Sequence, residues 1–153
     1  MRMSRLFSKL LRLPRSERAD LVAAQGALLA AWLRVATRRR GHLVGLPDER
    51  TVPGARPPDE RALARARGLA LAVTRAASHG VFRPQCLVRA VALKHLLDAR
   101  GLGGGRVQIG VRTRQGAFAA HAWVEFGGEV LGDRPEHVGT FAPLPHVTVL
   151  GNR

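Results

Sequence analysis

The sequence predicts an α+β fold in which N-terminal helices precede an antiparallel β-meander. Two observations carry that expectation. Apolar residues recur at helical spacing up to about residue 100, then give way to short β-branched or aromatic runs cut by glycine and proline. At 153 residues, with 46% hydrophobic and 24% charged residues, the chain has the size and balance of one modest globular core. The expected division is a helical region over 1–80 packed on a second region over 81–153, together a single compact domain.

Taken in order, the start "MRMSRLFSKLLRL" is basic and amphipathic through Leu6, Phe7, Leu10, Leu11 and Leu13. A packing arm is the expectation, and transient membrane contact the alternative. Leu21, Ala24, Leu28, Ala31, Trp32 and Val35 then predict a first helix, with Gly41 as its stop. The apolar run Leu21–Ala36 carries Gln25, Gly26 and Arg34 and falls short of the ~20 residues of a membrane span. Glu17 and Asp20 ahead of it, with no small-residue cleavage site behind it, argue against a signal peptide.

"VGLPDERTVPGARPPDE" reads as a connector. Asp59 is positioned to cap a second helix through Leu63, Ala66, Ala70, Val73 and Ala77, which ends near Gly80. Pro84 suits the first turn of a third helix, where its missing N–H is harmless. Ala90, Leu93 and Leu97 continue a stripe below Cys86, and "ARGLGGG" ends it. "RVQIGVRT", "AFAAHAWVEF", "EVLGD" and "HVTVL" supply the strands.

The net charge of +14 raises a nucleic-acid reading, which the pattern does not favour. Apart from Lys9 and Lys94 the basic residues are arginines spread along the whole chain, and only Arg38, Arg39 and Arg40 form a tight run. The basicity instead predicts salt-sensitive affinity for acidic peptides or polyanions. A single cysteine excludes an internal disulfide, so nothing points to an oxidising compartment, and the expected localisation is cytoplasmic.

That cysteine, Cys86, stands where the third helix begins. A helix N-terminus favours thiolate over thiol, and its free N–H groups hydrogen-bond a developing oxyanion. A nucleophilic thiol also needs a base, and the base an orienting group. Position alone leaves the thiol equally readable as a small core hydrophobe. Among the histidines, His42, His79, His95, His137 and His146 lie in connectors, helix ends, a polar helix face or irregular segments. His121 opens the strand-like "HAWVEF", and Asp133 follows across a two-glycine turn. A strict two-residue turn at Gly127 and Gly128 would pair Phe126 with Glu129 and put Asp133 on the opposite sheet face from His121. A catalytic pair therefore predicts a three-residue loop or an equivalent β-bulge. Gln85 is a candidate oxyanion ligand, or simply an exposed helix-start residue. Trp123 shares the His121 face, as a cleft wall or as plain core.

"CLVRAVALKHLLDARG", "VQIGVR", "FAAHAWVEFGGEVLGD" and a closing "FAPL", in that order over Pro84 to Leu144, resemble the lasso-peptide leader peptidases. These are transglutaminase-like (papain-like) cysteine proteases that remove the leader from a ribosomally made precursor peptide. A partner ATP-dependent cyclase then closes the macrolactam ring. The resemblance implies Cys86 as nucleophile, His121 as general base and then acid, and Asp133 as orienter, with no cofactor. It also implies a division of labour with a separate small leader-recognition protein, since the first 80 residues read as packed helices. Gly132 departs from the asparagine often found before the aspartate.

Two other readings stand beside this one. The same triad could pass the acyl group to an amine, as a transglutaminase does, or the chain could be a non-enzymatic basic binding module. A metal site is not expected, because one cysteine with scattered histidines lacks the paired spacing of zinc sites. No phosphate loop is present in the sequence.

Overall fold

A computed structural model describes residues 14–37, 57–80 and 82–144. Three helices come first: α1 (Arg15–Thr37), α2 (Glu60–His79) and α3 (Cys86–Ala99). Strands β1 (Arg106–Arg114), β2 (Ala117–Phe126) and β3 (Glu129–Leu131) follow, then the short helix α4 (Pro135–Val138) and β4 (Ala142–Pro143). The α+β expectation holds. The basic start, the Arg38–Arg40 run, His42, Gly41, His146 and "HVTVL" lie outside the described residues.

Helix α3 is the centre of the molecule. Val88, Ala90, Val91, Ala92, Leu93, Leu96 and Leu97 are all buried, a pattern that runs around the helix instead of along one stripe. Its solvent side is limited to the Lys94, His95 and Asp98 face, so the helix needs neighbours around the rest of its surface. It has them in α1, α2 and the sheet. Small residues on the facing surfaces, such as Ala24 and Ala31 of α1 and Ala66 and Ala70 of α2, let these helices approach closely around the fully buried Leu28, Leu69 and Leu97. Each such leucine contributes about 1.5–3 kcal/mol by leaving water.

Capping sets the helix ends. Asp59 accepts a hydrogen bond from the Ala62 N–H at 2.8 Å and caps α2 as expected. Gln85 is the N-cap of α3, so Pro84 lies one residue ahead of the cap and not inside the first turn. Helix α3 closes with the Leu102 N–H returning to Leu97 O at 2.9 Å.

Helix α1 differs from its sequence reading in two respects. It begins at Arg15, and with 23 residues and an apolar window of mean hydropathy 1.3 it is long and apolar enough to cross a membrane by length and composition. Its Ala24–Leu28–Ala31 face packs into the core, whereas Trp32, expected in that stripe, is 46% exposed and tilts against Phe82. Asp20 is buried and joins three helical segments through Arg65 at 2.5 Å and Arg100 at 2.9 Å.

The sheet is antiparallel with strand order β3-β2-β1-β4. It is therefore a three-stranded meander whose far edge is closed by β4 returning to pair with β1, not a meander to the end. Strand β2 alternates cleanly. Ala122, Val124 and Phe126 enter the core under the helices, while Trp123 joins Val138 and Phe141 in a second, smaller cluster. Gly110 of β1 leaves room for that cluster, since a Cβ there would stand 2.8 Å from the Trp123 ring and 2.9 Å from Phe141 Cβ.

Candidate active site

Cys86 is the first residue of α3 and is half-buried, not sealed in hydrocarbon. The first intrahelical bond runs from the Arg89 N–H to Gln85 O, so the N–H groups of Cys86, Leu87 and Val88 precede any intrahelical acceptor. Gln85 makes no side-chain cap with them and is exposed. It does not line the cleft described next.

That cleft is a shallow notch of about 330 Å³ when its solvent-open mouth is counted, not an enclosed cavity. Cys86 and Arg89 of α3, His121 and Trp123 of β2, and Gly132 and Asp133 beyond β3 all line it, with Val73 and Thr74 of α2 at one side. Its origin is the shortness of β3. Val124 pairs with Leu131, where β3 ends, so the β2 residues before Val124 have no strand partner on that side among the described residues. The N-terminus of α3 faces the notch so left.

The hairpin register corrects the sequence expectation. Phe126 pairs with Glu129, which is the strict two-residue turn and not the three-residue loop that a catalytic His121–Asp133 pair called for. Gly127 and Gly128 both have positive φ, 59° and 83°, as a tight hairpin turn with matching twist requires. Even so, His121 Nε2 lies 2.5 Å from Asp133 Oδ2. Strand β3 ends at Leu131, two residues before Asp133. Gly132 has φ +75°, which ends the strand and swings Asp133 back toward β2, giving the effect of the bulge at a different residue.

Asp133 is held from several directions. Oδ1 accepts the Arg134 N–H at 2.7 Å while Oδ2 meets His121. Burial pushes its pKa up, but the His121 hydrogen bond, the Arg134 N–H and the nearby His121 and His137 outweigh that, so the carboxyl sits below its ordinary range. Arg89, one turn after Cys86, donates from Nη2 to Gly132 O at 3.3 Å and ties this loop to α3. The sequence reading passed over Arg89, although its i+3 spacing from Cys86 puts the two on one helix face.

His121 is only 14% exposed. Its ring is stacked on Trp123 at 6.2 Å and tilted against Phe141 at 5.1 Å. Trp123 thus both lines the cleft and belongs to the core, and its Nε1 donates to Glu125 Oε1 at 3.1 Å. His137, read from sequence as an irregular-segment residue, lies on α4 with its ring edge-on to His121 at 4.9 Å. The spacing of four residues from Asp133 gave no hint of this, because α4 is placed by long-range packing. Val138 and Phe141 join Trp123, and Arg112 covers Phe141 at 4.5 Å while bonding Thr140 at 2.9 Å.

A thiol at a helix start, an imidazole and a carboxylate thus line one cleft. The Transglutaminase-like superfamily matches residues 13–146, and the chain belongs to that superfamily. It is also 44% identical over 55 residues to the Microcin J25-processing protein McjB of Escherichia coli. That match spans 36% of this chain and 25% of the relative, so the likeness concerns a quarter of the relative's length. No solved structure matches.

Proposed function

We propose that this protein is a cysteine peptidase that removes the leader from a ribosomally made precursor peptide in lasso-peptide maturation. The observation that carries the reading is the shared cleft: Cys86 at the start of α3 lines the same notch as the hydrogen-bonded His121–Asp133 pair. The superfamily membership and the likeness to the Microcin J25-processing protein support the chemistry and the substrate class.

In this reading each residue of the cleft takes one role. His121 takes the thiol proton as Cys86 Sγ attacks the carbonyl carbon at the leader–core junction, and the resulting oxyanion is met by N–H groups of the first turn of α3. Gln85, being exposed, has the reach of a substrate contact and is the weaker oxyanion candidate. His121 protonates the departing core amine, which leaves the leader as a thioester on Cys86. It then takes a proton from water, which hydrolyses the thioester and frees the thiol. Asp133, kept anionic by its surroundings, fixes the ring through Nε2, leaving Nδ1 for the thiol and the substrate. Trp123 walls the cleft behind the imidazole.

On this reading, the leader is recognised with a separate small binding protein, and the product passes to an ATP-dependent macrolactam cyclase, all in the cytoplasm. Superfamily membership also favours a second outcome on the same thioester, transfer to an amine in place of water. Mass spectrometry of a precursor peptide incubated with the protein tests both, with and without a leader-binding partner and with free amine added. Cleavage at one junction by the wild type and none by Cys86→Ala is expected. Cleavage by Cys86→Ala near the wild-type rate would remove the thiol from the mechanism, and an amine adduct at the cut would select acyl transfer.

A further inference from the structure

His121, Asp133 and His137 each present one donor atom, and those atoms lie within 4.8 Å of one another. Zinc held by two imidazoles and a carboxylate at about 2.0–2.1 Å sets its ligands roughly 3.3 Å apart, so small rotamer movements suffice to enclose an ion. The three groups come from separately anchored elements. His121 sits in β2, Asp133 is aimed by Gly132 and tied by the Arg134 N–H, and His137 rides on α4, clamped through Phe141 and Arg112. All three are half-buried, so an ion could arrive from solvent yet be partly shielded once bound. Two nitrogens and one carboxylate oxygen suit a borderline transition ion such as Zn²⁺, and magnesium or calcium would be poorly served.

We propose that this trio is a divalent transition-metal site whose occupation switches off the Cys86 relay. The metal would take the His121 nitrogen that now meets Asp133, along with the Asp133 carboxylate, leaving the imidazole unable to relay a proton. His137 has no role in the peptide chemistry described above. It serves here as the third ligand, and a water completes the shell. The switch rests on the peptidase reading, whereas the binding site itself does not.

The test uses Co²⁺ as a spectroscopic probe and Zn²⁺ as the inhibitor, on wild type, Cys86→Ala, His137→Gln and His137→Ala, each checked for folding by circular dichroism. Expected is one Co²⁺ per chain with visible d–d absorption, unchanged in Cys86→Ala and weakened by more than about tenfold in both His137 variants. In the same experiment Zn²⁺ should stop precursor cleavage by the wild type and a chelator restore it. Whatever cleavage His137→Gln retains should escape inhibition by Zn²⁺. Affinity that is lost in Cys86→Ala, or kept in the His137 variants, overturns the ligand set. Cleavage that persists with Zn²⁺ bound, or that Cys86→Ala gains with Zn²⁺, overturns the switch. If binding and its His137 dependence hold while no variant cleaves any precursor, the site stands and the peptidase reading is what fails.

Discussion

At the scale of single residues, the site depends on one hydrogen bond that few other positions could supply. Asp133 is below its ordinary pKa, so it stays charged throughout the neutral range and steadies His121 on a single nitrogen. His121→Ala is expected to lower kcat by about 10²–10⁴-fold. Asp133→Asn keeps a hydrogen-bonding partner but loses the charge, and its loss in kcat should be the smaller of the two. Steady-state kinetics on a precursor peptide measures both, and equal losses would mean that Asp133 does more than orient the ring. The residues proposed to carry this chemistry stand out in the sequence because each has an unusual local setting: a lone thiol just after a proline, a histidine in a strand, an aspartate past a glycine turn. His137 was not legible. Its place beside His121 depends on Phe141, Trp123 and Arg112 meeting across the sheet, and no local spacing encodes that.

At the scale of elements, the decisive feature is where β3 stops. The strand's hydrophobic alternation carries no information about its end, so counting along "EVLGD" placed Asp133 on the wrong face. Gly132, with φ +75°, reverses that outcome. Replacing it by alanine adds strain of roughly 1–2 kcal/mol. The new Cβ would also stand 3.4 Å from Leu93 Cδ2. The expected result for Gly132→Ala is a modest fall in thermal stability with a much larger fall in kcat, because Asp133 loses its aim. An enzyme with wild-type kcat would show that another residue sets the turn. Gly110→Ala makes the opposite kind of test. Its Cβ would press on the Trp123 ring and on Phe141, and overpacking of this kind destabilises by about 1–3 kcal/mol. Thermal denaturation of that variant should show the loss directly.

At the scale of the whole molecule, a buried carboxylate does what the apolar pattern alone does not. Asp20 links α1 to Arg65 of α2 and to Arg100 just past α3, and so ties three helices whose facing surfaces are mostly alanine. The Arg65 hydrogen bond lowers its pKa, burial raises it, and Arg100 lowers it further, with a net fall. A carboxylate depressed in the folded state stabilises fully above its unfolded value of about 3.9, and loses that contribution as pH falls through the folded value. Asp20→Asn should therefore lower stability by about 1.5–3 kcal/mol at neutral pH. The gap between the variant and wild type should close only below about pH 4. Denaturant unfolding across pH 3–7 follows this, and a gap that closed near pH 6 would assign it to a histidine instead. From sequence, Asp20 was only a charge ahead of an apolar run, since its partners lie 45 and 80 residues away. The helices-then-strands order was plain because periodicity is local. The central place of α3 was not, because burial of most of its surface depends on three neighbours arriving together.

In the proposed mechanism Cys86 carries the leader covalently before water releases it. Acid quenching of the protein with a precursor peptide early in turnover, followed by intact-protein mass spectrometry, tests this most directly. The expected result is a leader-length acyl adduct that maps to Cys86, is removed by hydroxylamine, and is absent from Cys86→Ala together with all cleavage. Cleavage that proceeds at the wild-type rate in Cys86→Ala, or an adduct that maps to any other residue, would contradict it.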